Sequence, residues 1–325
     1  MTKAGTALKA SNYCQDDKLV WDSFISNSKN GVFLFQRDYM EYHADRFVDF
    51  SIMFHDDDGR LLAVMPASIR DGIVTSHGGL TFGGIVTDNH MKAPLMLEAF
   101  DTLKTFLEER GVSKLVYKVI PHIYHHYPAE EDLYGLFRSG GRLIRRDISS
   151  TIAIRSPLPF SKGRRYSIKQ ARKFGLVVQQ SYDFDTFMEI EEKLLGAKYD
   201  VKPTHNASEL SLLASRFPDH IKLFSAFDTD VMVAGVVIYE HEKVAHAQYI
   251  AATDHGKRIG ALDLILEHLV TEWYASKEYF DFGISTENLG IYLNEGLIEN
   301  KQSFGARAVV HDFYEIDIAP KIISL

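Results

Sequence analysis

Between Met91 and Gly111 the apolar side chains Met96, Ala99, Phe100, Leu103 and Leu107 recur at the three- and four-residue steps that gather them on one face of a helix. The same steps return, at one constant offset, in Leu262, Ile265, Leu266, Leu269 and Trp273, which predicts a second amphipathic helix over 260–277. A short β-branched or aromatic run follows each helix, LVYKVI from Leu115 and YFDFG from Tyr279, and reads as a strand.

The parallel extends both ways. Downstream, EEDLYGLFRSGG and ENLGIYLNEGLIENKQSFG read as helices ending in glycine, as helix C-termini commonly do. RLIRRDISSTIAI and ARAVVHDFYEIDI then close the two halves as strands. Upstream, DFSIMFHDDDGRLLAVMPASI turns at Asp56 to Gly59 and IKLFSAFDTDVMVAGVVIYEH turns at Asp228 to Asp230, so each reads as a hairpin. A third strand follows each, in GIVTSHGGLTFGG and KVAHAQYIAAT. The chain is thus expected to be α/β (α+β), with two similar domains over 1–160 and 161–325. SPLPFSKGRR is the linker, leading into a connecting helix over 162–174.

Composition adds exclusions. The 325 residues suit two domains at roughly 150 each. With 46% apolar and 25% charged residues the chain is an ordinary globular mixture. Its longest apolar run, Val231 to Tyr239, is well short of the ~18 residues of a membrane span, and the N-terminus lacks the apolar stretch of a secretory signal, so a cytoplasmic location is expected. A single cysteine, Cys14, excludes an intramolecular disulfide and paired-thiol chemistry. The net charge of -8 argues against a DNA-coating protein. KGRRYSIKQARK nevertheless forms a local basic run.

The order of hairpin, strand, helix, strand, helix and strand resembles the GNAT N-acyltransferase fold. Two such units joined by a basic helix resemble the FemAB family of peptidoglycan-bridge aminoacyl transferases and the broader tandem GNAT proteins. KGRRYSIKQARKFG is similar to the family's Arg-x-x-Ile-x-x-Ala-x-x-x-Gly linker helix. YFDFGISTENLGIYLNEGLIENKQSFGA is similar to its closing Asp-Phe-Gly to Lys-x-x-Phe-Gly segment. The resemblance covers nearly the whole chain. It implies an acyl or aminoacyl transferase that forms an amide on a peptide, amino-sugar or other small-molecule acceptor. The donor would be acyl-CoA as co-substrate, another activated acyl group or aminoacyl-tRNA. No coiled-coil arm of the kind found in tRNA-using members is present. The alternative is a tandem GNAT that binds a ligand or protein without catalysis.

Acyl transfer to an amine needs a base, donors for the oxyanion and a proton for the leaving group. His246 is a candidate base, with a hydrogen-bonded sheet histidine as the competing reading. Strand alternation places His246 and Gln248 on one face and Tyr249 on the other. Tyr292, expected on the last helix, is a candidate acid or a core tyrosine. Asp281, Ser285 and Asn288 stand at the C-terminal end of the YFDFG strand, where α/β sheets expose ligand groups. HGKRIGA approximates a pyrophosphate loop, with Leu262 where a final glycine is expected. Gly256, Lys257, Arg258, Gly260 and Ala261, together with Gln248 and Asn288, are its candidate cofactor contacts, and a solvated helix start is the plain alternative. Candidate acceptor groups are His77 and Gly79 in SHGGLTFGG, Tyr124 and His125 in PHIYHH, Tyr199 and His205 in KYDVKPTHN, and Ser285. Arg165 and Lys169 on the basic helix would attract a phosphorylated donor or acceptor. The PHIYHH histidines lack the partners of a usual helical metal motif, so no metal is expected.

Overall fold

In the computed structural model, which describes residues 8–199 and 203–318, the chain divides into two units, and neither is one continuous stretch of sequence. The first comprises residues up to Asp147, Leu289–Ile291 and the chain from Val310; the second comprises Ile148–Asn288 and Tyr292–Val309.

The first unit opens with β1 (Lys9–Asn12), α1 (Lys18–Ser26) and α2 (Arg37–Met40). Short strands follow: β2 (Val48–Asp49), β3 (Ile52–His55), β4 (Leu61–Met65), β5 (Ser68–Arg70), β6 (Ile73–Thr75) and β7 (Val86–Thr87). Then come α3 (Ala93–Glu108), β8 (Lys114–Lys118) and α4 (Glu131–Arg138). A proline in its first turn starts α3, and the expected stripe, Met96, Ala99, Phe100, Leu103 and Leu107, faces the core. Gly135 of α4 lets that helix sit on the Phe100 ring, because a Cβ there would lie 2.4 Å from it. The third strand expected over GIVTSHGGLTFGG is limited to β6. Beyond Thr75 the chain turns away from pairing, with Gly78 and Gly79 packed against the rings of Phe47 and His43.

The long strand β9 (Arg142–Ala153) leads into the second unit. There α5 (Lys162–Lys173), β10 (Val177–Ser181), α6 (Phe184–Tyr199) and α7 (Ala207–Arg216) precede β11 (Ile221–Asp228), β12 (Val231–Glu240) and β13 (Val244–Ala252). The chain continues through α8 (Asp254–Ile259), α9 (Ala261–His268), β14 (Tyr279–Ile284), β15 (Thr286–Glu287), β16 (Tyr292–Leu293), α10 (Glu295–Gln302) and β17 (Arg307–Asp317). The connecting helix α5 starts at Ser161, whose side chain accepts from the Arg164 N–H. It is anchored on α9 by Ile168 and Ala171 against Leu264, and by Arg164 and Ser167, which both bond Asp263. The helix expected across ENLGIYLNEGLIENKQSFG is only α10. Asn288, Leu289 and Gly290 take positive φ and turn the chain into the β15–β16 hairpin, and the Asn294 side chain caps α10.

The closing strands are exchanged. Within the second unit the strand order is β10-β11-β12-β13-β14-β9, with Thr151 to Ala153 of β9 paired antiparallel to Tyr279 to Asp281 of β14. Within the first unit Phe313 to Asp317 of β17 pair antiparallel to Lys114 to Lys118 of β8. Each half of the sequence therefore supplies the strand that completes the other half's sheet, whereas the sequence pattern predicts that each half closes its own. The hydrophobic pattern marks both segments as strands but carries no information on which neighbour a strand selects.

Candidate active site

In the second unit β13 and β14 run parallel, and their register ends at His246 opposite Asp281. β13 continues to Ala252 and β14 to Ile284 without pairing each other further, so the two strands part just beyond these side chains. Both are irregular there. On β13, Val237 pairs with Tyr249 while Ile238 pairs with Ala247, which leaves Gln248 as a bulge. On β14, Gly283 takes a positive φ of 73° and the pairing with β9 shifts register.

The bulge corrects the expected alternation. Directly opposed residues share a sheet face, so Tyr249 lies with Val237 and His246 lies with Tyr239, two positions further along β12. His246 and Tyr249 are therefore on the same face.

His246 and Asp281 bond directly, Nδ1 to Oδ2 at 2.8 Å. Asp281 is completely buried, and its Oδ1 accepts from the hydroxyls of Ser149 at 2.5 Å and Thr151 at 2.8 Å. Ser149 and Thr151 alternate along β9, which sends both hydroxyls to one face. A buried carboxylate with three donors is held in one orientation, and it fixes the His246 tautomer with the proton on Nδ1 and the lone pair on Nε2. Gly283 keeps that edge of the ring open: a Cβ there would lie 3.3 Å from Cε1 and 4.0 Å from Nε2.

Lys301 of α10 completes the cluster. It is buried, and its Nζ donates to the carbonyls of Gly283 at 2.9 Å and Ile284 at 2.7 Å. Burial pulls its pKa down to about 8, against the attraction of Asp281. Ser149, Thr151 and Lys301 were not singled out in the sequence. The signal for Lys301 lay in the closing Lys-x-x-Phe-Gly segment, and that for the hydroxyls in the period-two spacing of RLIRRDISSTIAI.

The other candidates are placed variously. Ser285 is buried and tied to β9 by its backbone N–H on the Ile148 carbonyl. Asn288 is exposed at the hairpin turn. Tyr292 stands on β16, 56% exposed, rather than on a helix. His205 is buried, and its Nδ1 lies 2.5 Å from the Tyr249 hydroxyl. Tyr199 falls outside the residues whose side chains are described. Arg165 and Lys169 are exposed on α5.

HGKRIGA is helical rather than an open loop. The Gly256 N–H is taken by the Thr253 side chain, the Lys257 N–H by the Thr253 carbonyl, and the Gly260 N–H by carbonyls of α8. Gly256 and Gly260 serve close packing: a Cβ would lie 2.2 Å from the Val233 carbonyl oxygen in one case and 2.5 Å from the Ser167 hydroxyl in the other. Lys257 pairs with Asp254, Arg258 is exposed and Ala261 is sealed in the core. Three N–H groups of the segment, those of Gly256, Lys257 and Gly260, are thus committed within the protein.

His77, Gly79, Tyr124 and His125 belong to the first unit. His77 is buried against His43 and Phe47, and burial drives its pKa down to about 3. Gly79 is where a Cβ would strike the His43 ring, at 2.2 Å. Tyr124 packs on Phe82, and His125, held by burial at a pKa of about 4, bonds the Ile120 carbonyl through Nε2. Among the described residues, no group of three or more His, Cys, Asp or Glu side chains is arranged to hold a metal ion. No helix among them is long and apolar enough to cross a membrane.

No protein-family model and no curated protein sequence matches the chain. Solved structures do. FemX superposes with a TM-score of 0.66 at 12% identity, covering 94% of this chain and 96% of its own. L-PGS from Bacillus licheniformis gives 0.57 at 12% identity over 82% and 83%. A tandem GNAT protein from the clavulanic acid biosynthesis pathway gives 0.50 at 11% identity over 97% and 99%. The chain has the tandem GNAT, FemAB-like fold expected from its repeated pattern.

Proposed function

We propose that this protein transfers an acyl or aminoacyl group from an activated ester or thioester directly to an amine, forming an amide. The observation that carries the reading is the His246–Asp281 pair, set where β13 and β14 part, with the Nε2 edge of the histidine left open by Gly283. The acceptor nitrogen attacks the acyl carbon and gives its proton to His246 Nε2, while Asp281 stabilises the imidazolium through Nδ1. Two hydrogens of the Lys301 ammonium are committed to carbonyls. The third is the charged donor available to the developing oxyanion. As the carbon–oxygen or carbon–sulfur bond breaks, the proton passes to the leaving group. No side-chain nucleophile takes part, in keeping with the exposed position of Cys14.

The committed N–H groups of α8 favour an aminoacyl ester over acyl-CoA as donor, with Arg165 and Lys169 proposed to meet its phosphates. The same feature supports a second reading, a ligand-binding protein without catalysis. Incubation with a panel of acyl-CoAs and with aminoacyl-tRNA, alongside peptide and amino-sugar acceptors, separates the two by mass-spectrometric detection of the amide. His246→Ala is expected to slow transfer by about 10²–10⁴-fold with donor affinity nearly unchanged. Wild-type rates in that variant would sink the assignment. Tyr292→Phe tests a second proton path: a slower rate gives the leaving group's proton to Tyr292, an unchanged one leaves it with His246.

A further inference from the structure

Glu191 occupies a position that the pattern of its helix reserves for an apolar residue. Phe184, Phe187, Met188 and Glu191 follow at three- and four-residue steps along α6, and all are buried. α6 packs on β12 and β13, and Phe187 fills the space left by Gly235 of β12, where a Cβ would lie 2.5 Å from its ring. Glu191 is 7% exposed as a residue, and its Oε2 is closed from solvent with no hydrogen-bond partner among the described residues.

The groups on the neighbouring elements are engaged elsewhere. On β12, Glu240 is held by Lys222 and Lys277. On β13, His246 bonds Asp281 and the Tyr249 hydroxyl meets His205. On α7, Glu209 accepts from the Asn206 N–H. Tyr239 of β12 and Arg216 of α7 have contacts of their own. Burial raises the pKa of Glu191 to about 7, with no contribution from a neighbouring charge among the described residues. A carboxylate with a buried, unpartnered oxygen destabilises the fold when ionised. Leucine or methionine would remove that penalty, so the carboxyl matches a positive group that the described residues do not supply.

We propose that Glu191 is the binding site for a primary ammonium group of a substrate. This deepens the amide-forming reading and rests on it for the identity of that substrate. The ammonium bound here is not the reacting amine, which must lose its proton; it is a second amino group, such as the free amine of an aminoacyl donor or a side-chain amine of the acceptor.

Isothermal titration calorimetry of the full chain tests the proposal with three probes: glycinamide, Nα-acetyl-lysinamide and the neutral N-acetylglycinamide. Titrations at pH 7 in two buffers of different ionisation enthalpy count the protons released. One or both ammonium probes should bind and the neutral one should not, and which ammonium probe binds tells an α-amine from a side-chain amine. Because a carboxyl of pKa about 7 is half protonated at pH 7, ammonium binding should release about half a proton. Glu191→Gln should weaken binding at least tenfold and abolish the release. Glu191→Leu should do the same while raising the melting temperature, which separates lost recognition from lost folding. Equal binding by Glu191→Gln, binding without proton release, or saturation by neither ammonium probe would each overturn the assignment. His246→Ala should keep both binding and proton release, so a failed transfer assay rejects the amide-forming reading without bearing on Glu191.

Discussion

At the scale of single residues the proposed site depends on what is missing at Gly283. Its φ of 73° lies in the left-handed region, and its absent side chain leaves the Cε1–Nε2 edge of His246 clear. Gly283→Ala is therefore expected to destabilise the protein by only about 1–2 kcal/mol while removing most transfer activity. Paired measurements of melting temperature and kcat check this. A large loss of stability with activity retained in the folded fraction would show that the glycine serves the fold alone. Asp281 makes the complementary point. Its three donors come from residues distant in sequence, Ser149, Thr151 and His246. YFDFG marks it as a strand-end carboxylate but does not reveal its partners.

At the scale of elements, what the sequence discloses depends on whether the determining contacts are local. The stripe of α3, the hairpin turns at Asp56 to Gly59 and Asp228 to Asp230, and the span of α5 were legible because periodicity and turn residues encode them within a few positions. The bulge at Gln248 was not, because it exists only in the register with β12. The helix expected through Tyr292 failed for a related reason: 287–294 contains good helix formers, but the positive φ angles at Asn288, Leu289 and Gly290 commit it to a hairpin, and Gly290 fits closely over the Arg146 backbone. α5 itself has two distinct faces. Arg164, Ser167, Ile168 and Ala171 fasten it to α9, while Lys162, Arg165, Lys169 and Lys173 are exposed with no acidic partner among the described residues. Charge reversal by Arg165→Glu with Lys169→Glu should leave folding intact and weaken a phosphorylated donor by about tenfold at low salt, with a shallower salt dependence. Unchanged donor affinity across a salt titration would remove α5 from the donor site.

At the scale of the whole molecule, stability is expected to depend on pH through a buried carboxyl in the first unit. Asp132 of α4 is buried and accepts from the Tyr117 hydroxyl at 2.8 Å, which in turn accepts from the Ile85 N–H. Burial raises its pKa to about 6, opposed by the Tyr117 bond. The folded state thus holds this proton more tightly than the unfolded chain does. The resulting stability is present below about pH 4, is lost as pH rises from there to about 6, and changes little above that. Asp132→Asn keeps an acceptor for Tyr117 and removes the charge, so it should be more stable than the parent by about 1–3 kcal/mol at pH 8. Urea unfolding at pH 4 and pH 8 measures the difference, and an identical pH slope in the two proteins would count against this role for Asp132.

The exchanged closing strands also set a schedule for synthesis. β8 is complete once Lys118 has left the ribosome, yet the strand that covers one of its edges, from Phe313, is made much later. At 5–20 residues per second that edge waits roughly 10–40 s for its partner. Through that interval the nascent first unit carries an open sheet edge that another chain could pair with, so its safe maturation depends on the synthesis of β17 before such an encounter.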